Sequence, residues 1–115
     1  MIDSKEILRL NTMFKGCAKI FIALGDENRQ KLITDIGAEE PNGINVSALA
    51  TKSHLSRPAI SHHLKVLRDC GFVRTQKVGT QIFYHLSLSE NVNQLYDLLS
   101  HIQNVLLLPI STQKN

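Results

Sequence analysis

The first and last parts of the chain share a helical spacing of apolar residues. Over about residues 4–22, apolar side chains recur every three or four positions, which predicts an amphipathic helix. The same period returns over about residues 90–108, and Pro109 is predicted to end this last helix. The two apolar stripes consist of Ile7, Leu10, Phe14, Cys17 and Phe21 in the first helix and of Val92, Leu95, Leu99, Ile102 and Leu106 in the last.

Shorter elements lie between these two helices. Asp26 is a suitable N-cap for a second helix, which Gly37 is predicted to close. A loop that contains Pro41 follows, and residues 44–46 are long enough only for a stub of strand. Ser47 is then predicted to cap a short helix.

The next helix has the clearest boundaries in the sequence. Ser56 is predicted to cap it, and Gly71 supplies a left-handed stop just after residue 70. Pro58 is tolerated in the first turn, because the N–H groups there have no partner within the helix. The positions predicted to face the core are Ile60, Leu64 and Leu67.

Two extended runs, 72–77 and 81–86, flank Val78-Gly79-Thr80 and predict a β-hairpin. The predicted fold class is mainly α with a small β-hairpin wing, in the order α-α-(β stub)-α-α-β-β-α. A helix-turn-helix followed directly by a hairpin is a winged helix-turn-helix. We expect one domain over residues 1–108, with the helix-turn-helix at about 47–70, the wing at about 72–86 and a C-terminal tail at 109–115.

The composition excludes several classes of protein. At 115 residues the chain has the length of one domain. No apolar run approaches the ~20 residues that cross a bilayer, and residues 1–10 lack the apolar core of a secretory signal. Two cysteines make no disulfide framework, so we expect a cytoplasmic protein with reduced thiols. The chain contains no phosphate-binding loop, nucleophile elbow or HExxH motif, and we expect neither an enzyme nor a cofactor.

Positive charge is concentrated in the middle of the chain. Between Thr51 and Thr80, six basic residues accompany a single acid, Asp69, which gives a net charge of +5. The rest of the chain has seven basic and nine acidic residues and a net charge of −2. A basic segment on an acidic frame favours a local surface for a polyanion.

One side of the Ser56 helix carries only small polar and cationic residues. Arg57, Ser61 and Lys65 lie there at i, i+4 and i+8. Arginine and serine can bond the edges of bases in a major groove, whereas Lys65 and Arg68 suit phosphates.

The adjacent histidines of this helix diverge by about 100° around its axis, so they cannot easily hold one metal ion. We expect His62, beside Ser61, to reach a base edge or a phosphate. We expect His63, beside Ile60 and Leu67, to have a structural role. We expect His85 in the second strand to be a surface or packing residue.

Two segments resemble the ArsR-type winged helix-turn-helix transcriptional repressors: ALGDENRQKLI (23–33) and INVSALATKSHLSRPAISHHLKVLRDCGFVRTQKVGTQIFYHL (44–86). The resemblance covers about residues 17–106. Its most specific part is the pattern SxHLKVLRxxGFV, followed by a glycine-centred wing.

The resemblance implies a homodimer that binds double-stranded DNA at an inverted-repeat operator and blocks transcription. Contacts to DNA would come from Ser56, Arg57, Ser61, His62 and Lys65 and, in the wing, from Arg74, Lys77, Thr80 and Gln81. The first and last helices would form the dimer interface through Ile7, Leu10, Phe14, Val92, Leu95, Leu99, Ile102 and Leu106. Two apolar stripes on terminal helices exceed what one small core requires, which agrees with a partner surface.

Many members of this family sense metal ions, and here the sequence departs from the family pattern. VSALATKSHL holds no cysteine, and the last helix opens with SENVNQ instead of an Asp-x-His pair. Only Asp97 and His101 share a face of that helix, and an exposed carboxylate–imidazole pair is the simpler interpretation. We therefore expect no metal site, and the effector, an unknown small molecule or ion, stays open.

Thiol-switch members of the family form a disulfide between helices near the two ends of the chain. Cys17 matches the first of these helices, but Cys70 lies at the end of the Ser56 helix. Cys17 also lies in an apolar stripe, where a free cysteine behaves as a small hydrophobic residue. Two alternatives stay open beside a simple repressor: a redox-sensing repressor that uses Cys17 or Cys70, and a winged-helix module that binds proteins.

Overall fold

The computed structural model of the protein describes residues 3–87 and 89–107. Over these ranges the chain forms six α-helices, one β-hairpin and a terminal π-helical turn. The elements are α1 (Ser4–Gly16), α2 (Ala18–Leu24), α3 (Glu27–Ala38), α4 (Val46–Lys52), α5 (Arg57–Asp69), β1 (Val73–Val78), β2 (Gln81–Leu86), α6 (Ser89–Ile102) and the π turn (Gln103–Leu107). The predicted helix end at Pro109 and the tail at 109–115 lie outside the described residues.

The predicted fold class is confirmed. The first strand of the wing covers Val73–Val78, one residue later than the predicted run of 72–77. In the antiparallel hairpin Val73 pairs with Leu86 and Val78 with Gln81. Ile44 forms an isolated bridge with Tyr84, with backbone N–O distances of 3.1 and 2.8 Å. The predicted stub of strand is therefore real, and it joins the loop before α4 to the wing.

Short polar side chains fix the starts of the helices. The Asp26 carboxylate accepts hydrogen bonds from the N–H groups of Asn28 and Arg29, and the Ser56 hydroxyl accepts one from Ala59. Both predicted caps are confirmed. The prediction for Ser47 is wrong, because Asn45 caps α4 through a 2.8 Å bond to the N–H of Ala48.

The single helix predicted over 4–22 is two helices, broken at Cys17. Glycine is a poor helix former, and at Gly16 the backbone carbonyl instead accepts a bond from the Gln94 amide at 3.3 Å. The Cys17 thiol lies 3.8 Å from the Gln94 carbonyl oxygen. Contact with α6 thus stabilises a break that the apolar period of the first helix does not reveal.

The last helix also differs from its prediction. It begins at Ser89 and passes at Gln103 into the π turn, so the α-helix is shorter than the predicted span of 90–108. The apolar stripe predicted for this helix omits Leu98, which is fully buried and anchors α6 in the core. The stripe of the first helix is divided in a similar way. Leu10 and Cys17 are buried in the core, whereas Ile7, Phe14 and Phe21 remain exposed.

The core lies between α5 and the other helices. Ile60, Leu64 and Leu67 of α5 are each at most 1% exposed, which confirms their predicted orientation. They pack in one cluster with residues of every helix, including Leu32 of α3 and Leu98 of α6. Within the described ranges, no helix combines the length and apolarity that crossing a membrane requires.

Buried polar groups connect the peripheral elements to this core. Asn91 at the start of α6 is 8% exposed, and its amide donates to the carbonyl of Cys70 at 2.6 Å. His85 of β2 is 4% exposed, and its Nδ1 lies 2.7 Å from Oε1 of Glu40. The other carboxylate oxygen of Glu40 accepts from the N–H of Leu86 at 3.3 Å. His85 is therefore a packing residue that fixes the wing to the loop after α3.

Gly43 allows this close packing, and we expect its replacement to be unusually costly. A Cβ at Gly43 would lie 2.6 Å from Nε2 of His85, and φ is +76°. Gly79 in the hairpin turn has φ of +64° but open space around it. Gly79→Ala should lose about 1–2 kcal/mol of unfolding free energy from backbone strain alone, and Gly43→Ala should lose more. Equal losses in urea denaturation would contradict this account of the loop.

Candidate nucleic-acid interface

The helix-turn-helix is formed by α4, a tight turn and α5. The hydroxyl of Ser53 accepts from the N–H of Leu55 at 3.0 Å within the turn, and Ser56 then caps α5. Because one stripe of α5 is buried in the core, the opposite side of the helix is held facing solvent. The orientation of this side is set by packing, before any partner binds.

The predicted DNA-contacting residues of α5 are all exposed on this solvent side. The exposed set consists of Ser56, Arg57, Ser61, His62, Lys65 and Arg68. None of these side chains is a large hydrophobic group, and three of them are cations. We call this set the α5 face.

The wing contributes exposed polar residues, but they do not all lie on one side. Arg74, Lys77, Thr80 and Gln81 are exposed. Opposite residues of an antiparallel pair share a face, so Lys77 shares one with Ile82 and Arg74 shares the other with His85. Since alternate residues of a strand share a face, Tyr84 lies on the side of Lys77.

A groove of about 360 Å³ separates α5 from β2. Its lining combines three residues of the α5 face with a strand residue that is absent from the predicted DNA contacts. The lining residues are Ser61, Leu64, Lys65, Arg68, Asp69 and Tyr84. The period-two pattern of β2 could have indicated Tyr84, since it places this ring on the face opposite the buried His85.

Arg29 holds α5 in position through its neighbour His63. Its guanidinium donates to the carbonyls of Ile22 and Ala23, at 2.8 and 3.0 Å, and so terminates α2. Its remaining terminal nitrogen lies 3.1 Å from Nδ1 of His63. Because arginine can only donate, Nδ1 of His63 must be the acceptor. His63 therefore has the structural position expected for it, whereas His62 is exposed.

The Asp26 carboxylate stabilises the start of α3, the helix that carries Arg29. The backbone N–H of Arg29 is the largest cause that lowers the pKa of Asp26 below its usual range, and the N–H of Asn28 adds to it. A carboxylate with a lowered pKa stabilises the folded state above its unfolded pKa, and this contribution is lost as pH falls through the folded pKa. We therefore expect the start of α3 to lose stability in acid.

The residues considered for a metal or redox site do not line the groove between α5 and β2. Asp97 is exposed, whereas His101 is mostly buried with Nε2 3.0 Å from a carboxylate oxygen of Glu6. Among residues 3–87 and 89–107, no group of three or more histidine, cysteine or acidic side chains could hold a metal ion. Cys17 and Cys70 are both free thiols, and burial raises the pKa of Cys70.

Apolar side chains on α1, α2 and α6 are exposed. From the predicted interface, Ile7, Phe14, Val92, Leu99 and Leu106 are between 37% and 57% exposed. Leu95 and Ile102 are half-buried, and Leu10 is buried inside the chain, where it cannot reach a partner. The same region also exposes Leu8, Phe21, Ile22 and Tyr96.

Comparison with known proteins identifies relatives over most of the chain. Residues 43–75, which contain the helix-turn-helix, match the family described as "Bacterial regulatory protein, arsR family". The chain is 30% identical over 86 residues to the "Transcriptional repressor SmtB homolog" of Synechocystis, an alignment that covers 75% of this chain and 63% of that one. It is 32% identical over 98 residues to the "Transcriptional activator HlyU" of Vibrio cholerae, covering 83% of this chain and 87% of the relative.

A solved structure has the same arrangement of elements. The "ArsR-like Transcriptional Regulator from Rhodococcus sp. RHA1" superposes with a TM-score of 0.76 at 33% sequence identity. The superposition covers 88% of this chain and 89% of that one.

We predict that Arg29→Met lowers the free energy of unfolding more than Gln30→Ala does, although both side chains bond carbonyls at the end of α2. The variant removes a charged donor from two carbonyls and from His63, at an expected cost of about 2–4 kcal/mol. Gln30→Ala is the matched control, because the Gln30 amide bonds the adjacent Leu24 carbonyl at 2.7 Å without a charge. It should cost about 1 kcal/mol. Similar midpoints of urea denaturation for the two variants would refute the role assigned to Arg29.

Proposed function

The chain belongs to the ArsR family and is a DNA-binding transcriptional regulator of the helix-turn-helix class; from this premise we propose that it works as a homodimeric repressor on an inverted-repeat operator. The exposed, cationic α5 face is the observation that carries the proposal. Its relatives are named as transcriptional regulators, and a regulator of this kind acts where the genome is, in the cytoplasm.

In the proposed complex the first turns of α5 enter the major groove. Arg57 and Ser61 have the donors and acceptors to contact base edges, and His62 extends this set toward the flank of the helix. Residues further along the helix meet the backbone, and Lys77 and the turn residue Thr80 extend the contact to the wing. Arg74 and Gln81 lie on the other face of the hairpin, and in the proposed complex they contact the backbone from its edge.

The proposed dimer covers the apolar side chains of α1 and α6. Contiguous exposed hydrophobic patches are characteristic of interaction surfaces, and we infer that these side chains form one. The stripe of Val92, Leu99 and Leu106 continues along one side of α6 into the π turn. The proposed dimer has to leave both α5 faces free, because they would bind successive major grooves about 34–36 Å apart.

Occupation of an operator by such a dimer excludes other proteins from the same DNA, which is the proposed basis of repression. We propose no resident metal or cofactor, and an effector would be a small molecule or an ion.

Binding to DNA should be strongly salt-dependent and should depend on Arg57. Each neutralised phosphate contributes a slope of about −0.9 to log K against log salt. Arg57→Ala should cost about 1–3 kcal/mol on a selected operator, whereas Arg9→Ala removes an equal charge from α1 and should have little effect. Fluorescence anisotropy between 50 and 200 mM salt is the measurement. A wild-type protein that ignores duplex DNA at low salt would refute the proposal in favour of a protein-binding module.

The dimer proposal predicts that Leu99→Glu produces a monomer. Leu99 is 57% exposed, so the change leaves the core of the chain intact while placing a charge in the proposed interface. Asn93→Glu adds the same charge at an exposed position outside the stripe and should remain dimeric. Sedimentation equilibrium distinguishes the two variants, and a dimeric Leu99→Glu protein would show that the interface lies elsewhere.

A further inference from the structure

Asp69 lies where a carboxylate is least expected in a DNA-binding surface. It is the only acid between Thr51 and Thr80, and it lines the groove between α5 and β2. Its carboxylate lies 3.1 Å from the ammonium of Lys65, one turn earlier on the same helix. The one acid of the cationic segment is therefore paired with a proposed phosphate contact.

Stability does not account for this pair. Asp69 is the last residue of α5, where a negative charge opposes the helix dipole. The order lysine-then-acid is also the less favourable orientation for pairs at i, i+4. Both side chains are largely exposed, at 73% for Lys65 and 63% for Asp69, and exposed pairs contribute little.

The position of Asp69 also separates it from base recognition. Arg57 and Asp69 are twelve residues apart, which places them about 18 Å apart along the helix axis. Since the first turns of α5 are those that enter the major groove in the proposed complex, the end of the helix lies beside the DNA backbone. A carboxylate at this place meets phosphates and cannot select a base.

We propose that the groove is a seat for one DNA backbone phosphate and that the Asp69 carboxylate occupies it in the free protein as an internal competitor. This inference rests on the proposed DNA-binding function and adds a regulator of affinity to it. The carboxylate repels a phosphate that approaches Lys65, so the wild-type protein binds DNA with the pair intact and without this contact. Ser61, Arg68 and Tyr84 supply the other polar groups of the seat.

The competition predicts a change in how strongly DNA affinity depends on salt concentration. While Lys65 is paired with Asp69, the pair is neutral and the lysine neutralises no phosphate. Removal of the carboxylate frees the lysine and adds one phosphate contact for each protomer. Each added contact steepens the dependence of log K on log salt by about 0.9. Between 50 and 200 mM salt this amounts to about a 3.5-fold larger loss of affinity for each protomer.

The test uses the purified full-length protein and a duplex of random sequence. Asp69→Asn should bind more tightly than wild type at 50 mM salt, and its advantage should shrink about 3.5-fold for each protomer by 200 mM. Asp35→Asn is the matched control, because Asp35 forms the same kind of pair with Lys31 on α3, at 2.7 Å, outside the α5 face. The control should retain the wild-type slope.

A second pair of variants tests the role of Lys65. In a Lys65→Met background, Asp69→Asn should no longer steepen the salt dependence, and Asp69→Ser should reproduce the results of Asp69→Asn. If wild type binds and Asp69→Asn behaves like Asp35→Asn, the phosphate seat is wrong while the DNA-binding function stands. A steepened slope that persists without Lys65 also overturns the seat. If no variant binds duplex DNA at 50 mM salt, both proposals fail.

Discussion

The burial of one stripe of α5 is the constraint on which the rest of the structure depends. A helix of thirteen residues that places Ile60, Leu64 and Leu67 in the core has no freedom to rotate about its axis. The cationic side is therefore presented to solvent in a fixed orientation. Arg29 adds a polar restraint to this apolar one, because it bonds both the end of α2 and His63 of α5. Preorganisation of this kind reduces the cost of ordering side chains when a partner binds.

The two surfaces of the molecule differ in chemistry because they are formed by different helices. The α5 face is polar and positive, whereas the exposed parts of α1 and α6 are apolar. A polar, positive surface suits reversible binding of a polyanion. An apolar surface suits a stable association between chains. The proposed division into an inner DNA-contacting unit and outer dimerising helices rests on where each stripe is buried.

Local features of the sequence predicted those parts of the fold that local physics controls. The caps at Asp26 and Ser56, the stop at Gly71 and the hairpin all depend on residues within a few positions. The break at Cys17 was missed because it depends on Gln94, 78 residues beyond Gly16. Leu98 was missed because an apolar period cannot tell which of two adjacent leucines faces inward. For the candidate site, the sequence supplied the α5 face, whereas the contribution of Tyr84 depends on how β2 packs against α5.

The hydrogen bond from Asn91 to the carbonyl of Cys70 joins α6 to the end of α5. A buried bond of this kind is costly to break without a replacement partner. Any sliding or tilting of α6 must therefore either carry the end of α5 with it or leave a polar group without a partner in the interior. In the proposed dimer, this bond would link the geometry of association between two chains to the angle at which each presents its cationic helix.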